Sequence, residues 1–243
     1  MRLHRFYITE NIVGKGDISL TDFELIHQMV NVFRFSVGDK VILFDGSGFE
    51  YETEIISISK KLVVVKILNQ ANKSTSDSNI SLYLSLIKKS NFELAAEKCT
   101  EIGVSEIQPI VSERSEKKDL NLERLNKIVK EASEQSGRVT LPKVSAILAL
   151  DKAVSQAVSE GKFCVTFHTS KSDCHPLESR TYNEKGGKII NKIALFIGPE
   201  GGWTEKEMAL FKKNNFQICS LGQNILRAET AAMVAVWEAF HRE

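Results

Sequence analysis

The chain of 243 residues is 42% hydrophobic and 26% charged, a composition that excludes a disordered chain and predicts one or two folded domains. Its formal net charge of +1 gives no global electrostatic argument for a nucleic-acid partner, so such a partner would need a local basic face. No apolar run is long enough to cross a bilayer, the first residues lack a signal-peptide core, and the 4 cysteines form no CxxC pair. We therefore expect a cytoplasmic protein with reduced thiols.

The first 70 residues predict a small, mostly β domain. Residues 3–8 predict a short strand, and a T-x-x-E capping box at Thr21 predicts the start of an amphipathic helix. Residues 41–44, followed by Asp45-Gly46, predict a strand that ends in a turn, and two β-rich stretches follow up to residue 68. Several short strands with one helix are typical of a small β-barrel.

A polar stretch separates this region from the rest of the chain. Residues 69–79 contain one small apolar residue and show no periodicity, which is the composition of a linker. We therefore predict a first domain at residues 1–70, a linker at residues 71–79 and a second domain at residues 80–243.

Strands and helices alternate in the second domain. Residues 80–86, 107–111 and 163–167 predict strands. One helix follows the first strand and stops at Gly103, and residues 120–136 predict a second, amphipathic helix. This alternation predicts a mainly parallel α/β sheet.

The strongest functional signal lies between residues 193 and 240. The apolar run 193–197 predicts a strand buried on both faces, and it breaks into a loop with three glycines, which allow positive φ and a close approach of the backbone to a ligand. A capping box at Thr204 then begins a helix, and Gly222 lies in a second strand–loop–helix unit. Because ligands of open α/β sheets bind at the carboxyl ends of strands, both loops predict a ligand site. On spacing alone, glycines that only form tight turns are the alternative.

Several common sites do not fit the sequence. The loops match neither G-x-G-x-x-G nor a Walker A motif, which disfavours a dinucleotide or a nucleoside triphosphate. No G-x-S-x-G elbow supports a hydrolase. His168, Cys174 and His175 fit no common zinc spacing, so we expect no metal.

Four segments carry a family resemblance. They are Ile197-Gly198-Pro199-Glu200-Gly201-Gly202, Leu221-Gly222-x-x-Ile225-Leu226-Arg227-x-Glu229-Thr230-Ala231, Lys98-x-Thr100-Glu101-x-Gly103-Val104 and Glu131-Ala132-x-Glu134-Gln135-Ser136-x-Arg138. Together they resemble the SPOUT-class methyltransferases, and most of all the RsmE family, which methylates N3 of a uridine in small-subunit ribosomal RNA. Gln223-Asn224 departs from the Pro-Arg that the family often has, so one contact to RNA or cofactor is not carried over.

The resemblance implies an α/β fold with an N-terminal PUA-like RNA-binding β-barrel and a C-terminal SPOUT domain with a trefoil knot. It implies S-adenosylmethionine as cofactor, 16S ribosomal RNA in the assembled small subunit as substrate, and a homodimer. The implied cofactor contacts are His168, Ile197, Gly198, Gly202, Leu221, Gly222, Ile225, Leu226, Thr230 and Ala231. The implied RNA contacts are Arg5, Arg34, Lys98 and Arg138, with solvated surface charge as the alternative for Arg5 and Arg34.

The implied catalytic residues are Arg227 and Glu229. Methyl transfer from a sulfonium requires no protein nucleophile or metal, but it does require alignment and stabilisation of charge on the uracil oxygens. Arg227 can offer a planar cationic fork. Glu229 could accept a proton, pair with Arg227 or cap the last helix.

Three further alternatives stay open. The small residues of the last helix fit either a subunit interface or the chain's own core. The substrate could be another RNA, such as transfer RNA. A catalytically inactive RNA-binding or ribosome-assembly protein with the same fold is the alternative function.

Overall fold

The computed structural model describes residues 3–73, 79–115, 119–168 and 192–241. The chain forms two compact units. Unit 1 comprises Met1–Ser76 with Ser133–Leu141, and unit 2 comprises Asp77–Ala132 with Pro142–Glu243. No helix of the described ranges has the length and apolarity needed to cross a membrane.

Unit 1 contains a five-stranded sheet with the order β1-β3-β4-β5-β2. Its strands are β1 (Arg5–Tyr7), β2 (Asp17–Leu20), β3 (Lys40–Phe44), β4 (Phe49–Ile58) and β5 (Val63–Asn72). All pairs are antiparallel except β1 with β3. Two register shifts between β4 and β5 bend these long strands, since a bulge kinks and twists its strand. The predicted PUA-like β architecture is confirmed, although β5 extends two residues into the predicted linker.

One short helix packs against this sheet. Helix α1 (Phe23–His27) continues into a π-helical segment, Gln28–Val32. Its N-cap is Asp22, whose carboxylate accepts a hydrogen bond from the Leu25 amide at 2.8 Å, so the capping box predicted at Thr21 is wrong by one residue. The buried core consists of Phe6, Ile8, Ile12, Ile18, Leu20, Leu25, Ile26, Met29, Val41, Leu43, Tyr51, Ile55, Val63 and Val65.

Unit 2 contains a seven-stranded sheet in which every pair is parallel. Its strands are β6 (Ile80–Ser85), β7 (Glu106–Val111), β8 (Lys143–Val144), β9 (Leu148–Ala149), β10 (Phe163–Phe167), β11 (Ile193–Ile197) and β12 (Gln217–Cys219). The order is β12-β10-β11-β6-β7-β8, and β9 also pairs with β7. The predicted parallel α/β sheet is confirmed. Because residues 169–191, which connect β10 to β11, lie outside the described ranges, the trefoil knot stays a prediction.

Helices cover both faces of this sheet. They are α2 (Lys89–Ile102), α3 (Leu122–Ser136), α4 (Leu150–Ser159), α5 (Glu205–Lys213) and α6 (Ala228–Phe240). Side chains of α2, α3 and α6 form one core with the sheet, and side chains of α4 and α5 form a second core on the other face. Strands buried on both faces explain the continuous apolar runs of the sequence.

Helices α2 and α6 are in close contact. Gly103 ends α2 at φ 134°, and a Cβ atom on it would be 2.6 Å from Cε2 of Phe240 in α6. The small residues of α6 are buried in the same core, namely Ala228, Ala232, Ala235, Val236 and Ala239. Of the two predicted roles for these small residues, the structure therefore assigns them to the chain's own core.

A buried ion-pair network lies at the amino-terminal edge of the second sheet. Nζ of Lys162, just before β10, lies 2.8 Å from Glu106 and 2.7 Å from Glu160, and it also donates to the Tyr83 hydroxyl at 3.2 Å. Burial alone would lower the pKa of Lys162, but the hydrogen bonds to Glu106 and Glu160 outweigh burial and raise it. Burial would raise the pKa of Glu106, yet Lys162, with help from Ser81, lowers it. The network thus holds its groups in their charged forms.

Candidate active site

A cavity of about 300 Å³ lies at the carboxyl-terminal edge of the second sheet. The adjacent strands β12, β10 and β11 all end there, and the cavity is lined by residues 167–168, 197–200, 202–203, 220–228 and Ala231. Cavities of this size at the carboxyl ends of parallel strands are typical ligand sites. The cavity is therefore found at the same edge of the sheet at which the glycine loops predict a ligand site.

The first loop, residues 198–204, follows β11. A different feature of the structure explains why glycine occupies each of its three glycine positions. A Cβ atom on Gly198 would be 3.1 Å from the ring of Trp203, and one on Gly201 would be 3.3 Å from the side chain of Arg114. Of the three, only Gly202 has a positive φ, at 67°, so one of the three glycines uses the conformational freedom that the sequence allows.

Trp203 fixes the end of this loop. Its indole Nε1 donates to the Phe167 carbonyl at the end of β10 at 3.1 Å, and its ring packs edge-on against Phe211 of α5 at 4.9 Å. Thr204 then begins α5 with the predicted capping box, in which its amide donates to Glu207 at 2.8 Å. The loop is thus anchored to a strand and to a helix.

The second loop follows β12. The Ser220 hydroxyl donates to the Gly222 carbonyl at 3.0 Å, and Gly222 has φ 123°, a value that L-residues rarely adopt. Ile225 lines the cavity but is 82% exposed. An apolar ligand group placed on Ile225 would remove this surface from water, which is favourable.

Arg227 and Glu229 lie at the start of α6. Arg227 is the N-cap residue, with an extended backbone and an exposed side chain that lines the cavity. Glu229 is only 7% exposed, its Oε2 has no hydrogen-bond partner, and it does not line the cavity. Among the described residues, Glu229 makes no ion pair with Arg227, and the side chain of the N-cap residue Arg227 makes no capping hydrogen bond. Of the three roles considered for Glu229, pairing with Arg227 is therefore absent, and Glu229 lies as an acidic residue in the first turn of α6.

Comparisons with known families identify the family of the chain that forms this site. A family model described as an RNA methyltransferase domain matches residues 74–238, and one described as an RNA methyltransferase PUA domain matches residues 20–68. Ribosomal RNA small subunit methyltransferase E of Rickettsia conorii is 30% identical over 97% of this chain and 94% of its own. The chain belongs to the ribosomal RNA small subunit methyltransferase E family.

Solved structures agree with this family in fold and cofactor. The Neisseria gonorrhoeae ribosomal RNA small subunit methyltransferase E, solved with bound S-adenosylmethionine, is 29% identical and superposes with a TM-score of 0.81 over 97% of this chain and 95% of its own. A methyltransferase of Legionella pneumophila, also solved with bound S-adenosylmethionine, is 27% identical, with a TM-score of 0.85 over 100% and 98%.

In this family member, most of the predicted cofactor contacts meet in one cavity. The predicted residues that line it are His168, Ile197, Gly198, Gly202, Leu221, Gly222, Ile225, Leu226 and Ala231. Thr230 is exposed and does not line it. The sequence prediction missed Phe167, Trp203 and Ser220, which only the packing of the strand ends brings to the cavity.

The predicted RNA contacts lie in different environments. In unit 1 the Arg5 side chain is 7% exposed, pairs with Glu50 and donates to the Arg138 carbonyl at 3.1 Å. Its guanidinium also lies 5.4 Å from the centre of the Phe44 ring. Arg5 is therefore a buried structural group of unit 1. Solvated surface charge, the alternative considered for Arg5, is wrong.

Two other predicted RNA contacts lie at the surface. Lys98 of α2 donates to Glu97 and Glu101 at 2.8 Å each, and these two hydrogen bonds raise its pKa. Its charge is therefore already compensated. Arg34 of unit 1 is exposed and has φ 56°, and a non-glycine residue in this region is a frequent marker of function.

Within the described ranges, no cluster of three or more His, Cys, Asp or Glu residues could hold a metal. Cys174 and His175 lie outside those ranges. Cys99, Cys164 and Cys219 are buried free thiols. Burial raises the pKa of Cys99 and raises the pKa of Cys164 to about 12, so neither thiol is a reactive nucleophile at neutral pH.

Proposed function

We propose that the protein transfers a methyl group from S-adenosylmethionine to N3 of a uridine in 16S ribosomal RNA. The observation that carries this proposal is the cavity at the ends of β10, β11 and β12. It is lined by the backbone of two glycine loops, in a chain whose relatives were solved with this cofactor bound. The ribosomal RNA substrate follows from the family name, and the N3 position of a uridine follows from the family resemblance.

The cavity fits the cofactor in its chemistry. Ile225 and Leu226 offer apolar contact to an adenine ring, and the loop backbone offers hydrogen-bonding groups. A Cβ atom on Gly202 or Gly222 would meet no atom within 4 Å, so the backbone is open to a ligand at both positions. We propose as cofactor contacts the nine predicted residues that line the cavity, and we leave out Thr230.

Bound S-adenosylmethionine supplies an electrophilic methyl group with a built-in leaving group. The chain must therefore align the acceptor and stabilise the charge that develops on it. Arg227 is an exposed cation that lines the cavity and has no carboxylate partner in the described part of the chain. We propose that its guanidinium contacts a uracil oxygen as N3 loses its proton.

Glu229 is the proposed proton acceptor. It lies two residues after Arg227, and its buried Oε2 is unpartnered. A buried carboxyl oxygen without a partner costs free energy in the resting protein, and such strain is often retained at functional sites. The carboxylate accepts the N3 proton through one water, because Glu229 does not itself line the cavity.

RNA binding is proposed for Arg34 and Arg138. Arg34 presents an exposed cation from a backbone position with φ 56°, and Arg138 is half-buried, with its Nε donating to the Thr140 carbonyl at 3.3 Å. The substrate is the assembled small subunit, in which an RNA surface can engage a local basic face despite the near-neutral net charge. A cytoplasmic location accords with such a substrate.

A homodimer is also proposed. Because the small face of α6 is buried in the chain's own core, the interface must use other residues. Trp237 of α6 is 50% exposed, and Ile225, twelve residues before it in the chain, is 82% exposed. Large exposed apolar side chains mark interaction surfaces when they are grouped, and aromatic residues are enriched in the cores of interfaces.

The test begins with calorimetry. The proposal requires S-adenosylmethionine to bind in the wild type and the Arg227→Ala variant to methylate assembled small subunits more slowly than the wild type. Methylation is assayed in parallel on three substrates, which are naked 16S ribosomal RNA, assembled small subunits and transfer RNA. Mass spectrometry identifies the modified base. Cofactor binding without methylation of any RNA would support the inactive assembly protein, and methylation of transfer RNA alone would replace the substrate.

A further inference from the structure

A four-residue turn directly after β7 lies against residues 198–204, the cofactor loop of the proposed function. Within Ser112–Ser115, the two serine hydroxyls are 2.8 Å apart, the Ser112 amide donates to Ser115 Oγ at 3.1 Å, and the Ser115 amide donates to the Ser112 carbonyl at 3.1 Å. Both serines are buried. The turn is closed on itself, and it presents the two residues between the serines, Glu113 and Arg114, in fixed positions.

Glu113 ties this turn to the start of α5. Its amide donates to Oε1 of Glu207 at 2.8 Å, and its carboxylate accepts from the Thr204 hydroxyl at 3.1 Å. The Glu207 carboxylate also accepts from the Thr204 amide. The end of the cofactor loop is therefore held without any contribution from Arg114.

Arg114 holds the middle of the loop. Its Nη1 donates to the Gly201 carbonyl at 2.7 Å, and its aliphatic stem lies where a Cβ atom on Gly201 would come within 3.3 Å. Gly201 does not line the cavity, whereas Glu200 and Gly202 on either side do. The contact thus holds a residue that does not line the cavity, between two residues that do.

We infer that Arg114 is a positioning residue for the cofactor loop. A hydrogen bond from a charged donor is stronger than a neutral one, and this one spans 87 residues of sequence. Pre-ordering a binding loop improves affinity because ligand binding no longer has to order it. The inference rests on the proposed function in that the ordered ligand is S-adenosylmethionine.

The test compares Arg114→Met, which keeps most of the stem but has no donor, with Arg114→Lys, which keeps a donor without the fork. Calorimetry should show cofactor affinity about tenfold weaker for Arg114→Met, the loss of one charge-assisted hydrogen bond, and an intermediate value for Arg114→Lys. In methylation assays the KM for the cofactor should rise, while kcat at saturating cofactor stays within about twofold, because the cofactor itself then orders the loop.

Arg124→Met is the matched control, since Arg124 is an exposed arginine of α3 whose guanidinium pairs with Glu93. It should bind cofactor like the wild type. Wild-type cofactor affinity in a folded Arg114→Met variant would overturn the inference, as would a fall in kcat at unchanged affinity.

A ligand-free measurement separates this inference from the proposed function. The Gly202 amide donates to the Pro199 carbonyl at 2.8 Å, so its hydrogen exchange reports loop opening. Exchange at Gly202 should be faster in Arg114→Met than in the wild type and unchanged in Arg124→Met. If the wild type does not bind S-adenosylmethionine, the proposed function fails, yet faster exchange still supports positioning by Arg114. Equal exchange rates would contradict it.

Discussion

The indole ring of Trp203 lies against Gly198 so closely that a Cβ atom on residue 198 would be 3.1 Å from Cε2 of the ring. The same indole donates from Nε1 to the Phe167 carbonyl. Gly198 therefore allows one side chain to join the ends of β10 and β11. A larger residue at position 198 would displace Trp203 before it filled the cavity.

Gly198→Ala should accordingly lower stability and cofactor affinity together. Overpacking against a buried ring costs about 1–3 kcal/mol, and the shifted Trp203 would deform the cavity wall. Denaturant unfolding and calorimetry measure the two effects. Gly16→Ala is the matched control, because its Cβ would meet no atom within 4 Å. If Gly198→Ala weakened cofactor binding at wild-type stability, Gly198 would serve ligand approach alone.

Arg227→Ala should reduce the single-turnover methylation rate by a factor on the order of 10²–10³, the usual loss for one donor to a developing charge. Cofactor affinity should change little, because that charge develops on the acceptor. Arg227→Lys should be partly active, since an ammonium lacks the planar fork. A wild-type rate for Arg227→Ala at saturating cofactor would show that Arg227 is not catalytic.

Glu229→Gln should slow methylation without lowering the melting temperature. The amide keeps the shape of the side chain, and it removes a buried carboxylate whose Oε2 has no partner, a group that costs free energy in the resting protein. The deficit should persist at saturating cofactor if Glu229 accepts the N3 proton. A variant that is less stable and equally fast would instead give Glu229 a structural role.

Lys162→Met should lower the free energy of unfolding by about 3–5 kcal/mol, the usual cost of removing one partner of a buried ion pair. The reason is that Glu106 would remain buried with only the exposed Lys143, at 3.5 Å, as a cation. Lys98→Met is the matched control, because Lys98 also contacts two glutamates but its side chain is 38% exposed, and exposed pairs contribute at most about 1 kcal/mol. Similar losses in both variants would contradict the importance of burial.

The Lys162 network also predicts a pH dependence. The lowered pKa of Glu106 means that its contribution is fully present above the ordinary glutamate value of 4.5 and is lost as the pH falls through the folded-state pKa. In Lys162→Met, protonation of the buried carboxyl relieves its cost. The stability difference between wild type and variant should therefore be largest near neutral pH and shrink below pH 4.5. A difference independent of pH would rule out this origin.

Local sequence signals were enough to predict the structural features that depend on residues a few positions apart. The run 193–197 was enough for a buried strand, and Thr204 with Glu207 was enough for a capping box, in which both hydrogen bonds form. The helix stop at Gly103 is confirmed as well. Each of these depends on residues within a few positions, where periodicity and side-chain chemistry decide the conformation.

Contacts between distant residues could not be predicted in this way. Nothing near Arg114 in sequence indicates Gly201 as its partner, and nothing near Arg5 indicates that Glu50 would bury it. The strand orders decide these contacts, since β11 lies between β10 and β6 in the second sheet and β3 lies between β1 and β4 in the first. Until that order is known, an arginine in a sequence motif is equally compatible with a surface position, a ligand contact and a buried structural position.

The two tryptophans of the chain give the protein two separate optical reporters. Trp203 is buried in the cavity wall, whereas Trp237 is half-exposed on α6. In a Trp237→Phe chain, intrinsic fluorescence would follow filling of the cavity alone. In a Trp203→Phe chain, it would follow coverage of α6 by a second copy in the proposed homodimer. Label-free emission spectra of the two variants would thus time cofactor capture and the proposed subunit association separately.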